Sequence, residues 1–164
     1  MDRPQEFDVN TFDIADPDNT LAELLLYLEH QTVEVISTIQ TLLSSIKTPD
    51  STTGTLKTGA KAIGIVVSQM FDATSVSMAQ SRNVQLREHG RWVVQSLADC
   101  GRRMDMLCSN DKSDDDDYAD KHFKQRLAGI AFDIAKCTKE LVKTVEEASL
   151  KEEIAVIDAR LKAA

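Results

Sequence analysis

Apolar residues recur along most of the chain at alternating steps of three and four, which is the period of an amphipathic α-helix. The pattern is most regular in the last third, where one line comprises Phe123, Leu127, Ile130, Ile134, Cys137 and Leu141. Beside it runs a second line of mostly small residues: Ala128, Ala131, Ala135, Thr138, Val142 and Val145. One apolar face is enough for a helix to join a bundle. The second line, edged by Lys136, Lys139 and Lys143, therefore predicts a shallow docking surface.

The same period predicts four long helices. A start signal at 16–19 precedes the first, and a breaker-rich loop at 47–54 precedes the second. The predicted helices cover residues 19–46, 56–78, 86–107 and 117–148. A weaker apolar pattern from Leu150 to Leu161 predicts either an extension of the fourth helix or a short fifth one.

Four helices with mostly short connections predict an all-α fold, an antiparallel up-and-down four-helix bundle in which the first and fourth helices are neighbours. The chain has 164 residues, enough for one domain with a substantial core. We divide it into a flexible N-terminal lead-in at 1–18, the bundle at 19–148 and a C-terminal helical extension at 149–164.

Composition narrows the classes of partner. The net charge of −8 argues against nucleic acid and anionic membranes as partners, because phosphate binding needs clustered positive charge. No run approaches the ~18 apolar residues of a membrane span, and the N-terminus is unlike a signal peptide. Three cysteines at helical core positions predict reduced thiols. These features predict a cytoplasmic protein without direct membrane insertion.

Chemistry-bearing motifs are absent from the sequence. It contains no glycine-rich phosphate loop, CxxC pair, GxSxG or HExxH. His30, His89 and His122 fall on separate elements without metal-ligand spacing, and Trp92 is interpreted as a packing residue. We therefore expect no metal, no cofactor and no enzymatic activity.

The candidate site is a surface between the first and fourth helices. Next to its core line the first helix carries Leu26, Val33, Ile36 and Leu43. If the two helices are neighbours, these residues meet Ala128, Ala135 and Val142 across a groove. An amphipathic helix of a partner protein would then lay its leucines there and its acidic residues near Lys136, Lys139 and Lys143. Two alternatives stay open: residues 1–18 or 150–164 cover the same groove, or the bundle has no separate peptide ligand and instead self-associates or docks within its own full-length chain.

The segment Phe132-Asp-Ile-Ala-Lys-Cys-Thr-Lys-Glu-Leu-Val142 resembles the last helix of the C-terminal domain of the G-protein-coupled-receptor-kinase-interacting Arf GTPase-activating proteins. There the pattern is Tyr-Asp-Ile-Ala-Lys-x-x-Lys-x-Leu-Val, and Lys136 and Lys139 match its lysines. The resemblance implies a focal-adhesion-targeting-like bundle, a fold that binds leucine- and aspartate-rich helical motifs of paxillin.

Two further segments, 18–31 and 89–97, resemble the C-terminal domain of fungal polarisome scaffolds, which share homology regions with the receptor-kinase interactors. This resemblance implies a non-catalytic module that helps organise cell-polarity factors and regulators of the actin cytoskeleton. It also implies recruitment from the cytoplasm to the cell cortex at sites of polarised growth or division. The sequence leaves the partner peptide and the oligomeric state open.

Overall fold

The computed structural model describes residues 17–79 and 84–163, with side-chain surroundings for 21–79 and 87–163. Four helices account for most of these residues: α1 (Pro17–Lys47), α2 (Thr53–Ala79), α3 (Val84–Asn110) and α4 (Lys121–Ala163). Contacts link α1 with α2, α2 with α3, α3 with α4, and α4 back to α1. This closed ring of neighbours confirms the predicted all-α up-and-down bundle. The predicted lead-in at 1–18 lies outside the described residues, apart from Pro17 and Asp18 in α1.

The core is formed by the apolar lines that the sequence predicts, because each helix turns its three–four stripe toward the bundle axis. All four helices contribute fully buried large side chains, among them Leu28, Leu56, Leu97 and Leu127. The first line of α4 is buried as predicted, except that Cys137 is only half-buried. The predicted stripes thus identify most of the hydrophobic core.

The second line of α4 divides into two sets. Ala131, Thr138 and Val145 are completely buried and belong to the core. The remaining three are half-buried at the surface: Ala128, Ala135 and Val142. Only this second set is accessible to a partner.

At one end of the bundle, the α1–α2 and α3–α4 connections are hydrogen-bonded to each other. The amides of Thr53 and Gly54 donate to the carbonyls of Asp117 and Asp115, both at 2.9 Å, and the Ala119 amide donates to the Ser51 carbonyl at 2.9 Å. The Asp117 and Asp115 carbonyls satisfy amides in the first turn of α2 that have no partner inside their own helix.

The acidic connection at 111–120 therefore serves α2 through its backbone carbonyls, whereas the predicted bounds of 117–148 place Asp117 at the start of α4. That start is instead capped by Asp120, whose Oδ2 accepts from the amides of His122 at 3.1 Å and Phe123 at 3.3 Å. The predicted start of α4 near Asp117 was thus four residues too early.

By length and composition, α2 is apolar enough to cross a membrane, with a mean hydropathy of 1.3 in its most apolar window. The sequence predicts no unbroken run of ~18 apolar residues, and α2 contains none. It is apolar enough through its average hydropathy, with polar residues along its length such as Thr58, Ser68 and Gln69. In the bundle, however, α2 buries one stripe from Thr53 to Met78 against its neighbours. The additional hydropathy comes from exposed residues such as Ile65 and Val76. A single helix of this kind is weak evidence for membrane insertion.

The fourth helix is longer than its neighbours require. Its last buried residue is Ala148, yet the helix continues without a break to Ala163. Of the two alternatives left open by the sequence, the structure shows an extension of α4 rather than a separate fifth helix.

Candidate partner-binding surface

Contacts with α3 define which side of α4 faces α1. Asp133 accepts from Arg103 of α3 at 3.2 Å, and Cys137 approaches Cys100 of α3 with 3.8 Å between the sulfurs. The opposite side of α4 carries Ala128, Ala135 and Val142 and faces the other neighbour, α1. Lys124, on that same side, donates to the carbonyl of Thr48 at the end of α1 at 3.0 Å.

On α1 the predicted residues lie at two depths. Ile36 and Leu43 are half-buried, and Leu43 packs against the hydrophobic core. Leu26 and Val33 lie further out and are 68% and 70% exposed. For two antiparallel right-handed helices, the edge carrying these residues is the one that faces α4. We call the surface formed by these four residues with Ala128, Ala135 and Val142 the α1/α4 face.

The three lysines are exposed, but they do not border the α1/α4 face equally. Lys139 follows Ala135 by one turn and lies beside the half-buried residues. Lys136 and Lys143 lie roughly 100° further around the helix than Ala135 and Val142, on its outer side. The structure thus places Lys139 at the edge of the surface and the other two lysines behind it.

One exposed aromatic residue on α4 is missing from the predicted site. Phe132 is exposed on the outer side of α4, between Lys139 and Lys136 around the helix, and the Lys136 ammonium is 5.6 Å from its ring centroid, within cation–π range. The sequence contains the signal, because Phe132 is a large apolar residue outside the core line of α4. We add Phe132 to the candidate surface.

Another exposed aromatic residue, on α3, corrects an expectation. Trp92 was interpreted as a packing residue, but it is 65% exposed and stacks on His89 with ring centroids 6.3 Å apart. The two residues are three apart on α3, so they are neighbours on its outer surface. The interpretation was wrong because residue type was given more weight than position: Val93 and Val94 hold the buried positions next to it.

An open groove of about 920 Å³ lies between α2 and α3, on a face that the sequence did not indicate. Its small lining residues include Gly64, Ala98 and Gly101, and its charges are of both signs. Cys108 also lines it, and burial raises the pKa of this thiol, which disfavours the reactive thiolate. Within the described residues, no group of three or more His, Cys, Asp or Glu side chains could hold a metal ion.

The fold and its surfaces define a helical-bundle domain with apolar residues exposed along the edges of its helices. Residues 25–146 match the family model described as G protein-coupled receptor kinase-interacting protein 1 C term. The chain belongs to this family. The family resemblance predicted from residues 132–142 is thereby confirmed.

Two curated yeast proteins are similar to the chain. It is 65% identical to Protein SPA2 of Saccharomyces cerevisiae over 162 residues, which cover 94% of this chain and 11% of that protein. It is 32% identical to Protein SPH1 of the same organism over 85 residues, which cover 51% of this chain and 13% of that protein. The chain thus spans roughly a tenth of the length of these relatives. The predicted resemblance to the polarisome scaffold is confirmed by the match to SPA2. No solved structure matches the chain.

Proposed function

We propose that this domain is a non-catalytic protein-interaction module of a cell-polarity scaffold. In this proposal it binds an amphipathic helix of a partner on the α1/α4 face and acts at the cortex, at sites of polarised growth or division. Membership of the receptor-kinase-interactor family and the similarity to SPA2 support the class of function. The surface supports the mode of binding.

The observation that carries the proposal is the pairing of exposed and half-buried apolar side chains on two adjacent helices. Leu26 and Val33 on α1 and Phe132 on α4 are largely exposed, while Ala135 and Val142 form a shallow floor. A partner helix laid along this face would remove those exposed side chains from water. Its own apolar residues at i, i+3, i+4 and i+7 would contact the floor.

Charge would set the orientation and rate of this encounter more than its strength. Lys139 borders the face, with Lys136 and Lys143 behind it, while the domain as a whole is acidic. A partner helix with acidic residues beside its leucines would be attracted locally, and binding would weaken with added salt.

Two-dimensional NMR titration of the domain with acidic, leucine-rich helical peptides tests the proposal. We expect shifts at Ile36, Leu43, Ala135, Lys139 and Val142. Shifts confined to the α2/α3 groove would refute the proposed face. Shifts produced only by a peptide of this chain's own residues 1–18 would show that the face is occupied internally.

A pair of variants makes the test specific. Leu26→Ser with Val33→Ser removes two exposed apolar side chains from the face and should abolish the peptide-induced shifts. Ile65→Ser with Val76→Ser makes the same change on the outside of α2, where both residues are likewise exposed, and should leave binding intact. Equal loss of binding in the two variants would contradict the proposal.

A further inference from the structure

The extension of α4 beyond the bundle carries an uncovered apolar stripe. Leu150, Ile154, Ile157 and Leu161 are each 54–71% exposed, although every one is a large aliphatic residue. Their spacings of four, three and four are those of alternating d and a positions in a heptad. The family match ends at residue 146, so this stripe lies outside the region that defines the family.

The stripe points away from the bundle. From Ile134 in the core, Leu150 is turned roughly 160° around the helix axis, and Ile154 and Ile157 lie within roughly 40° of that direction. The bundle core, which packs against the opposite side of α4, therefore does not cover these residues. We infer that the stripe binds the same stripe of a second copy of this chain, with the two helices antiparallel.

Charge complementarity selects the antiparallel arrangement. When Ile154 of each copy packs against Ile157 of the other, Glu153 lies next to Arg160 of the second copy, and Lys151 lies next to Asp158. By symmetry each pair occurs twice, giving four attractive pairs. Asp158 also pairs with Lys162 of its own helix at 3.0 Å, an exposed contact that leaves it available to a second cation.

A parallel arrangement would oppose like charges at two places. Glu153 would face Asp158 of the second copy. Toward the bundle, the stripe continues into Lys136 and Lys143, which would face their own counterparts. In the antiparallel arrangement the contact falls on the described extension at 149–163, about 22 Å long, and the two bundles lie at opposite ends. The lysines are then outside the contact.

The overlap is short, so the association should be weak and reversible rather than permanent. The helix is already formed as a continuation of α4, which removes the ordering cost that two heptads would otherwise carry as an isolated peptide. A self-association of this kind would link two interaction domains while leaving both α1/α4 faces free.

Sedimentation equilibrium over a concentration series tests the inference. The unaltered chain should show a mass rising from monomer to dimer. The Ile154→Asp/Ile157→Asp variant should remain monomeric, because the dissociation constant of its dimer should be at least about a hundredfold larger. Circular dichroism would check that the bundle stays folded. The inference would be overturned if the unaltered chain were monomeric at every concentration or if the variant still dimerised.

Charge variants test whether the two α4 extensions pair antiparallel or parallel. Glu153→Arg places two arginines together in the antiparallel pair and should weaken it about fivefold, whereas in a parallel pair it would meet Asp158 and strengthen association. Adding Arg160→Glu should restore the antiparallel dimer. Stronger association of Glu153→Arg alone would refute the antiparallel arrangement.

Discussion

The sulfur atoms of Cys100 and Cys137 lie 3.8 Å apart across the α3/α4 interface. A disulfide needs about 2.05 Å, so these are two reduced thiols in contact, in agreement with the free cysteines expected from the sequence. Burial is the main cause that raises the pKa of Cys137 to about 11, and the neighbouring Cys100 adds to it. Both causes disfavour the thiolate in the folded protein.

We therefore predict that Cys137 reacts with iodoacetamide as a group that ionises well above its ordinary pKa of 9.0. In a Cys108→Ser background, its alkylation rate should keep rising from pH 9 toward pH 11. Because folding raises the pKa of Cys137, the protonated thiol contributes to the free energy of unfolding below pH 9, and this contribution is lost as the pH rises toward 11. The same residue in urea-unfolded protein is the control. A rate that reaches its plateau near pH 9 in the folded protein would contradict the prediction.

Gly54 makes a close approach that a larger residue would disrupt. A Cβ at this position would lie 2.8 Å from the Cβ of Asp115 and 3.0 Å from its carbonyl oxygen, to which the Gly54 amide donates. Gly54→Ala should therefore lower the free energy of unfolding by about 1–3 kcal/mol, measured by urea denaturation.

Gly64 in the same helix is the matched control. A Cβ there meets no atom within 4 Å. Gly64→Ala should therefore raise the free energy of unfolding by up to about 1 kcal/mol through helix propensity. Equal effects of the two substitutions would show that the two connections are not held together as described.

Two buried threonines predict opposite responses to valine. In the described part of the bundle, the Thr74 hydroxyl is fully buried and has no hydrogen-bond partner, whereas the Thr138 hydroxyl donates to the Ile134 carbonyl at 2.8 Å. Thr74→Val removes an unsatisfied polar group and should stabilise the bundle by about 1–2 kcal/mol. Thr138→Val should be neutral or destabilising by up to about 1 kcal/mol. Thermal unfolding compares them, and a lower Tm for Thr74→Val would refute the assignment.

The sequence predicts the helices and most of the core because apolar periodicity is a local property. It does not predict how wide the buried arc of each helix is. In a ring of four, α4 packs against both α1 and α3, so its buried arc reaches Ala131, Thr138 and Val145, which the sequence assigned to a surface line. Periodicity alone cannot distinguish the margin of a wide core from a second face.

Features that depend on contacts between distant segments are also beyond the sequence pattern. The acidic connection holds α2 through the backbone carbonyls of Asp115 and Asp117, so no side-chain pattern indicates that role. The contact of Cys100 with Cys137 likewise depends on how α3 and α4 align. By contrast, the spacing of the four aliphatic residues in the α4 extension is visible in the sequence. The structure adds that no other part of the described bundle covers them.

The last prediction concerns the lysines of α4. Lys136→Glu with Lys139→Glu should weaken binding of an acidic, leucine-rich peptide about tenfold, mainly through a slower association rate, with little change in thermal stability. Both side chains are exposed, and the Lys136 contact with the exposed Phe132 ring contributes only about 0.5–1 kcal/mol.

The matched control separates local charge from total charge. Lys61→Glu with Arg91→Glu also reverses two exposed cations, so either variant changes the net charge from −8 to −12, since each reversal removes two charge units. Only the α4 variant should lose binding if Lys139 contacts the ligand beside the α1/α4 face. Equal loss in both would mean that overall repulsion governs the encounter, and unchanged binding in the α4 variant would remove these lysines from the site.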